Sequence, residues 1–313
     1  MTYEEFLKKF PSEKKVIDYF IKVKYPEEIK CSHCGSTKVY HRNNEYKVFD
    51  CSNCHNSFSI FKGTIFEKTS TDLTRWMYAI HLFLNAKKGI SAKQLQREIG
   101  VTYKTAWRML RQIRIAMGNG DNKYYYEAVL EIDETYIGGK PRKENNSNDD
   151  DDDDFKKRYD RRKHTGRGTK KTPVVGVVNR DDNHVFAKVV LPNKDGKKLT
   201  GIQLLRILID ISNNDKANVV LSDEFRSYDI LKKTEYRHYK INHNEMFGFG
   251  GVGGFHTNTI ESFWAIVKRS VYGIYHKVSV KYLQLYLNEF AFRRNNREID
   301  NSFDLLLKNA IGV

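Results

Sequence analysis

The first strong hydrophobic pattern in the chain has the spacing of an amphipathic helix. Apolar side chains recur at intervals of three and four residues after residue 72, and Gly89 ends the run. The preceding segment, Ser70–Asp72, contains residues that favour a helix N-cap. The predicted buried face consists of Leu73, Trp76, Met77, Ile80 and Leu84.

Two shorter helices are predicted next, with Gly100 between them. Ser91 can cap the first helix and Thr102 the second. The second helix has separate apolar and basic faces, which is typical of a helix-turn-helix that inserts into the major groove of DNA. An ordinary helical hairpin with a solvated charged face has the same pattern. The apolar face consists of Ala106, Leu110, Ile113 and Met117, and the basic face of Lys104, Arg108 and Arg111.

From residue 124 onward the pattern changes to that of β-strands. Runs rich in apolar and β-branched residues are separated by turn residues, and one amphipathic helical run precedes the last strand. Three consecutive strands, a helix and a further strand predict an α/β domain with a mixed sheet. The strands are predicted at residues 124–139, 172–180, 184–191 and 217–225, and the helix at residues 200–212.

A highly charged segment, at about residues 140–171, is inserted after the first of these strands. It contains six consecutive aspartates, Asp149–Asp154, and nine basic residues within Lys156–Lys171. Such a segment buries too little apolar surface to offset its ordering entropy, so we expect a disordered loop. We expect the aspartates to be solvated rather than to bind a metal, whereas the basic half is a candidate for holding DNA.

Two aspartates stand at informative places in the predicted strands. In the first strand, the alternation of side chains places Ala128, Leu130 and Ile132 on one face. Glu131 and Asp133 lie on the other face. Asp223 stands where an apolar strand gives way to a loop. Either aspartate, taken singly, is better explained as a solvated strand end than as a metal ligand.

A third acid, Glu261, lies on a predicted helix but away from its apolar stripe. It shares a face with Ala265, Lys268 and Tyr272. One explanation is a capping box, with Asn258 as the N-cap and Glu261 at the third helical position. The apolar stripe consists of Ile260, Trp264, Val267 and Val271.

Two strand aspartates and a helix glutamate are also what a two-metal phosphoryl-transfer site requires. Mg²⁺ prefers oxygen ligands, and three carboxylates can hold two ions about 3.5–4 Å apart. Lys268 lies two helical turns beyond Glu261, where it would contact a DNA phosphate beside such a site.

The net charge of +15, from 54 Lys and Arg against 39 Asp and Glu, favours a polyanionic partner. Nucleic acid and an acidic membrane surface are the two candidates. The N-terminus has no signal-peptide pattern, and no run approaches the roughly 18 apolar residues of a membrane span. We therefore expect a soluble, intracellular protein without a membrane partner.

In that reducing setting the four cysteines are better candidates for metal binding than for disulfides. They form two Cys-x-x-Cys pairs, Cys31 with Cys34 and Cys51 with Cys54, separated by 16 residues. This spacing predicts a structural zinc ribbon in which residues 37–49 form a hairpin. Unligated buried thiols are the alternative, and His33 and His55 are possible substitute ligands. Together with the net charge, a zinc ribbon favours DNA binding by the neighbouring helices.

Seven stretches of the sequence follow one another in a specific order and spacing, from about residue 25 to residue 310. Together they resemble the DDE transposases of bacterial insertion sequences, specifically the ISXO-like group that begins with a zinc ribbon. The stretches are CSHCGS, CSNCHNSFS, FKGTIFEKTSTDLTRWMYAI, EIDETYIGGK, LSDEFRSY, HTNTIESFWAIVKRSVYGIYHKVS and YLNEFAFRRNNR.

The resemblance implies an RNase H-like catalytic domain with a metal-binding triad of Asp133, Asp223 and Glu261, which holds two Mg²⁺ or Mn²⁺ ions. It also implies that Lys268 is the basic residue that follows the glutamate. Some relatives use asparagine as the third ligand, and Asn258 is the alternative to Glu261 here. The implied domains are an N-terminal helix with the zinc ribbon at 1–66, a helix-turn-helix region at 67–120 and the catalytic domain at 121–313.

The implied function is Mg²⁺-dependent cleavage and strand transfer of an insertion element by a protein that binds its terminal inverted repeats. Its partners would be double-stranded DNA and further copies of the chain, as a homodimer or larger assembly, in the cytoplasm at the nucleoid. Two alternatives stay open. A regulator descended from a transposase would bind DNA without cutting, and a metal-dependent nuclease of the same fold would cleave without joining.

Overall fold

In a computed structural model of the chain, residues 2–42, 45–119, 129–138, 171–193, 199–212, 219–241 and 256–312 are described. The chain forms two compact units: Met1–Lys123 together with Asn296–Val313, and Tyr124–Asn295. The charged segment predicted to be disordered lies outside the described residues, except for Lys171. No helix within the described ranges has the length and apolar character needed to span a membrane.

The first unit begins with two helices where the sequence led us to expect one. Phe10 and Pro11 separate them, because the residue before a proline is disfavoured in the helical region. A three-stranded antiparallel sheet in the order β1-β2-β3 follows, and β1 and β2 pair as the predicted hairpin. These elements are α1 (Tyr3–Lys9), α2 (Glu13–Lys24), β1 (Val39–Arg42), β2 (Glu45–Cys51) and β3 (Ser57–Ser59).

Three helices follow, and each begins at the residue predicted to cap it. Asp72, Ser91 and Thr102 accept hydrogen bonds from amides of the first turns of α3, α4 and α5. Gly100, between α4 and α5, has a left-handed φ of 65°. The predicted apolar face of α5 is buried, whereas in α3 Phe83 is buried and Leu84 only half-buried. The helices are α3 (Leu73–Asn85), α4 (Ala92–Ile99) and α5 (Tyr103–Gly118).

The second unit is built on the predicted mixed sheet, which has five strands in the order β6-β5-β4-β7-β8. β4, β5 and β6 are antiparallel neighbours, whereas β7 and β8 run parallel to β4. The edge strand β8 was not predicted, because its sequence RHYK contains no apolar run. The strands are β4 (Val129–Ile137), β5 (Thr172–Asn179), β6 (Val185–Val189), β7 (Val219–Ser222) and β8 (Arg237–Lys240).

Helices cover both faces of this sheet. Leu130 and Ile132 of β4 pack on one face against α6 (Gly201–Ser212) and the 3₁₀ segment Arg226–Lys233. Residues on the opposite face pack against α7 (Asn258–Ser270) and α8 (Val280–Asn295). Because both faces are covered, the side of β4 that carries Glu131 is also buried.

The last helix, α9 (Ser302–Ile311), packs in the first unit against α2, α3 and α5. The ring of Phe303 lies 5.7 Å from that of Phe10, measured between centroids. Oδ1 of Asp304 accepts a hydrogen bond from Nζ of Lys9 at 2.8 Å. These apolar and charged contacts explain why α9 belongs with the N-terminal helices.

The two units differ from the three domains predicted from the sequence. The predicted catalytic domain extended to residue 313, whereas the second unit ends at Asn295. The predicted zinc ribbon and helical regions, residues 1–66 and 67–120, lie within one unit. The amphipathic pattern of α9 could not show which unit its apolar face contacts.

Candidate active site and metal centre

The four cysteine thiols of the first unit converge. Sγ of Cys31 lies 3.7 Å from Sγ of Cys54, and Sγ of Cys34 lies 3.6 Å from Sγ of Cys51. Four sulfurs bound tetrahedrally to zinc at about 2.3 Å would lie about 3.8 Å apart. A backbone hydrogen bond at Ser36 is the main reason that the pKa of Cys34 is lowered to about 6, which favours the metal-binding thiolate. The geometry therefore fits a zinc ion.

Both cysteine pairs share one backbone arrangement. The amide that follows the second cysteine of each pair donates to the carbonyl of the first, from Gly35 to Cys31 and from His55 to Cys51, both at 3.0 Å. Gly35 and His55 have left-handed φ values of 74° and 56°. The group of potential ligand atoms within 4.8 Å of one another contains the four cysteines and neither His33 nor His55.

The three basic residues predicted on α5 line one groove of the first unit. Lys104 is exposed, whereas Arg108 and Arg111 are half-buried. Nη2 of Arg108 donates to the carbonyl of Glu67 at 2.9 Å, so this guanidinium also supports the local structure. The groove is lined by Tyr103, Lys104, Trp107, Arg108 and Arg111.

In the second unit, two aspartates from non-consecutive strands meet at the sheet. β4 and β7 are parallel with Ile132 opposite Ser222, so the next residues, Asp133 and Asp223, come together where β7 ends. Glu134 joins them, and the three residues each offer a carboxylate oxygen within 4.8 Å of the others.

Repulsion and burial shape the electrostatics of this acidic group. Burial is the main reason that the pKa of Asp133 is raised to about 7. The negative charges of Glu134, Asp223 and Glu261 raise that pKa further. The fully buried Tyr228 donates its hydroxyl to Oε2 of Glu134 at 2.9 Å, and burial raises the pKa of this tyrosine well above its usual value. A divalent cation would relieve the repulsion, so the group has the chemistry of a metal site.

The acids line an open cleft of about 460 Å³ that also contains two lysines. Lys268 enters the cleft from α7, and Tyr272 from the π-helical turn Val271–Tyr275 that follows it. The second lysine of the cleft is Lys171, which lies immediately before β5. It is the last residue of the predicted basic segment and the one residue of that segment that the structure describes. Lysines beside an acidic group with the chemistry of a metal site suit a substrate with a phosphate backbone.

Glu261 lies near this group but is not part of it. The group of acids within 4.8 Å of one another does not include it, although its charge contributes to the raised pKa of Asp133. Glu261 is exposed, as predicted, and its Oε1 accepts the hydroxyl of Thr257 at 2.8 Å. The capping box, which the sequence offered as an alternative role for Glu261, does not form. The N-cap is Thr257 rather than Asn258, and a glutamate of β4 accepts the first amides of α7 instead.

The sequence reasoning missed Glu134 and Lys171 as members of the cleft. Strand alternation predicts that Glu134 and Asp133 point to opposite faces. β7 ends at Ser222, opposite Ile132, so beyond this pair the edge of β4 is not bonded to β7, and the carboxylates of Asp133 and Glu134 both come within 4.8 Å of that of Asp223. The one sequence feature that could have indicated Glu134 is its position immediately after Asp133.

Two family models match the chain. One, described as an ISXO2-like transposase domain, matches residues 127–295. The other, described as a transposase zinc-ribbon domain, matches residues 11–57. The first covers more than half of the chain and includes all three predicted acids, and the second includes all four cysteines.

Two relatives of the chain have names that are consistent with these matches. The chain is 27% identical over 295 residues to an uncharacterized protein in transposable element ISH50 of Halobacterium salinarum, an alignment that covers 92% of each protein. It is 31% identical over 118 residues to an uncharacterized transposase-like protein of Haemophilus influenzae, covering 38% of this chain and 87% of that protein. Two solved structures also align with the chain, a pre-cleavage Mos1 transpososome at 10% identity and a Mos1 transposase paired-end complex at 11% identity. Each alignment covers 75% of this chain and 78% of the other chain, with a TM-score of 0.28.

Proposed function

Because this chain belongs to the ISXO2-like transposase family, we propose that it cleaves the ends of an insertion element and joins the freed 3′ ends to target DNA. The observation that carries this proposal is the pairing of β4 with β7, which brings Asp133 beside Asp223 within the matched domain. The mixed sheet with helices on both faces supports an RNase H-like assignment for this domain.

Asp133, Asp223 and Glu261 are the proposed ligands of two Mg²⁺ or Mn²⁺ ions, and Glu134 is a further candidate. Oxygens bound to one Mg²⁺ at about 2.1 Å lie roughly 3–4 Å apart, which is compatible with an acidic group spanning less than 4.8 Å. When bound, the ions would activate the attacking oxygen and stabilise the leaving oxygen.

The remaining residues of the cleft would position the DNA strand. Lys268 and Lys171, which line the same cleft as the acids, would bind phosphates of the DNA strand. Tyr228 holds Glu134 through its hydroxyl, and Thr257 holds Oε1 of Glu261. No tyrosine or serine nucleophile is required, because water and then the 3′-hydroxyl attack phosphorus directly.

The first unit would recognise the terminal inverted repeats. Its cysteine group would hold a structural zinc ion, and α4 and α5 would act as a helix-turn-helix. Lys104, Arg108 and Arg111 would contact double-stranded DNA. Holding both ends of an element at once requires at least a homodimer.

A strand-transfer assay tests the proposal, with duplexes of the element ends, a target plasmid and Mg²⁺ or Mn²⁺. The chain should cleave and join, and Asp133→Ala and Asp223→Ala should abolish both steps. Full joining by either variant would show that the mechanism is wrong. Binding without cleavage by the unaltered chain would indicate a regulator, and cleavage without joining a nuclease.

The same assay identifies the third ligand. If Glu261 binds metal, Glu261→Gln should be inactive and Asn258→Ala should keep activity. The reverse result would assign the role to Asn258, which is exposed at the first position of α7.

A further inference from the structure

Glu131 is a fully buried acid that the proposed mechanism does not use. It lies two residues before Asp133 in β4, on the same face of the strand. Its Oε2 accepts hydrogen bonds from the backbone amides of Thr259 and Ile260, each at 3.0 Å. These two amides belong to the first turn of α7, so a strand carboxylate caps this helix.

The other oxygen of Glu131 faces two further groups. Oε1 lies 3.4 Å from Nε of Arg180 and 3.5 Å from Nδ1 of His256. Nη2 of Arg180 lies 2.8 Å from Nε2 of His256. Arg180 follows β5, and His256 precedes α7, so three segments of the second unit meet at one carboxylate.

Glu131 accepts amide hydrogen bonds at the start of α7 that a side chain at the N-cap position commonly accepts. The first amides of any helix need acceptors from outside the helix, and the N-terminal end of the helix dipole favours a negative charge. The N-cap residue Thr257 makes no side-chain cap hydrogen bond. Its hydroxyl is directed instead to Glu261.

We propose that Glu131 is a positioning residue that sets the place of Glu261 and Lys268 relative to Asp133. The inference rests on the proposed metal-dependent function. Glu131 and Asp133 are held in one strand, and the two amides bonded by Glu131 immediately precede Glu261. A single side chain thereby connects the strand that carries the first acid to the helix that carries the third.

Two substitutions of Glu131 separate the effect of side-chain length from the effect of side-chain charge. Glu131→Asp keeps the charge but is one methylene too short to reach both amides. Glu131→Gln keeps an oxygen at the same distance for the two amides, but it loses the charge and turns an NH₂ group toward Arg180 and His256. A positioning role requires that the aspartate be the more damaging change, and a role for the charge alone requires the opposite.

The experiment measures Mn²⁺ binding to the full chain by calorimetry, and amide exchange at Thr259 and Ile260 by hydrogen–deuterium exchange. Glu131→Asp should weaken Mn²⁺ binding by about tenfold or more and speed exchange at both amides. Glu131→Gln should leave exchange at both amides close to that of the unaltered chain and weaken Mn²⁺ binding less than Glu131→Asp does. The matched control is Glu289→Gln, at another fully buried glutamate, bonded by Tyr275 and Arg293 in the same unit.

Wild-type Mn²⁺ affinity in a folded Glu131→Asp chain would overturn the inference, as would equal weakening by Glu289→Gln. Greater damage from Glu131→Gln than from Glu131→Asp would also overturn it. The proposed function fails separately, if Asp133→Asn leaves Mn²⁺ binding intact or if the unaltered chain binds no Mn²⁺.

Discussion

Asp133 lies directly opposite Gly176 in the β4–β5 ladder, and the indole of Trp264 occupies the space above that glycine. A Cβ at Gly176 would lie 2.6 Å from Cζ2 of Trp264 and 2.8 Å from Cδ1 of Ile260. The missing side chain therefore allows α7 to pack closely on the sheet beside the first acid. This close packing fixes the distance from β4 to the helix that carries Glu261.

Gly176→Ala should therefore damage both stability and the site. The added methyl group forces Trp264 and α7 outward, and overpacking of this kind costs about 1–3 kcal/mol in the free energy of unfolding. Mn²⁺ affinity should fall in the same variant. Chemical denaturation and calorimetry measure the two effects. Gly273→Ala is the control, because a Cβ there meets no atom within 4 Å, and equal behaviour of the two variants would contradict the explanation.

When no divalent metal is added, the raised pKa of Asp133 predicts that the folded chain becomes less stable as the pH rises. The folded chain keeps this proton up to a pH of about 7, whereas the unfolded chain releases it near its ordinary pKa of 3.8. Stability is therefore lost as pH rises from about 4 to about 7, by at most about 4 kcal/mol. Asp133→Asn should raise Tm above that of the unaltered chain at pH 8 and leave it similar at pH 4. A difference in Tm that does not change with pH would refute this prediction.

Loss of zinc should unfold the ribbon, because two short knuckles and a small sheet hold little apolar surface without the metal. Cys51→Ser removes a buried thiol and should lower both zinc content and Tm, the latter by roughly 5 °C or more. Elemental analysis and calorimetry measure these changes. His33→Ala should leave zinc content unchanged, and a loss of zinc in that variant would implicate histidine as a ligand.

The basic groove on α5 predicts different phenotypes for two of its residues. Lys104 is exposed, so Lys104→Ala should keep Tm but reduce the salt dependence of DNA binding by about 0.9 in the log–log slope. Arg108→Ala should also lower stability by about 1 kcal/mol, because the carbonyl of Glu67 loses its donor. Fluorescence anisotropy at several salt concentrations tests the slope. Lys8→Ala, at an exposed position on α1, is the control, and an unchanged slope in Lys104→Ala would exclude a phosphate contact.

Features that depend on neighbours in sequence were predictable. Asp72, Ser91 and Thr102 were identified as caps because the acceptor and the amides lie within three residues of one another. The buried stripe of α7 followed from helical periodicity in the same way. The cysteine pairs were recognisable because each knuckle is local.

Features that depend on strand register were not predictable from local patterns. The family resemblance placed Asp133 and Asp223 in one site, but local patterns did not show the parallel pairing of β4 with β7 that brings them together with Glu134. The cap from Glu131 to α7 spans 128 residues of chain, so no local pattern could reveal it. The capping box considered as an alternative for Asn258 and Glu261 does not form, since the acceptor for the first amides of α7 comes from a distant strand.

The packing of α9 against the N-terminal helices has a consequence for synthesis. The ribosome delivers α9 only after the entire second unit, so the first unit can complete its core only once residues 302–311 have been synthesised. The contacts of α9 with α2, α3 and α5 therefore close a loop of chain that contains the whole second unit.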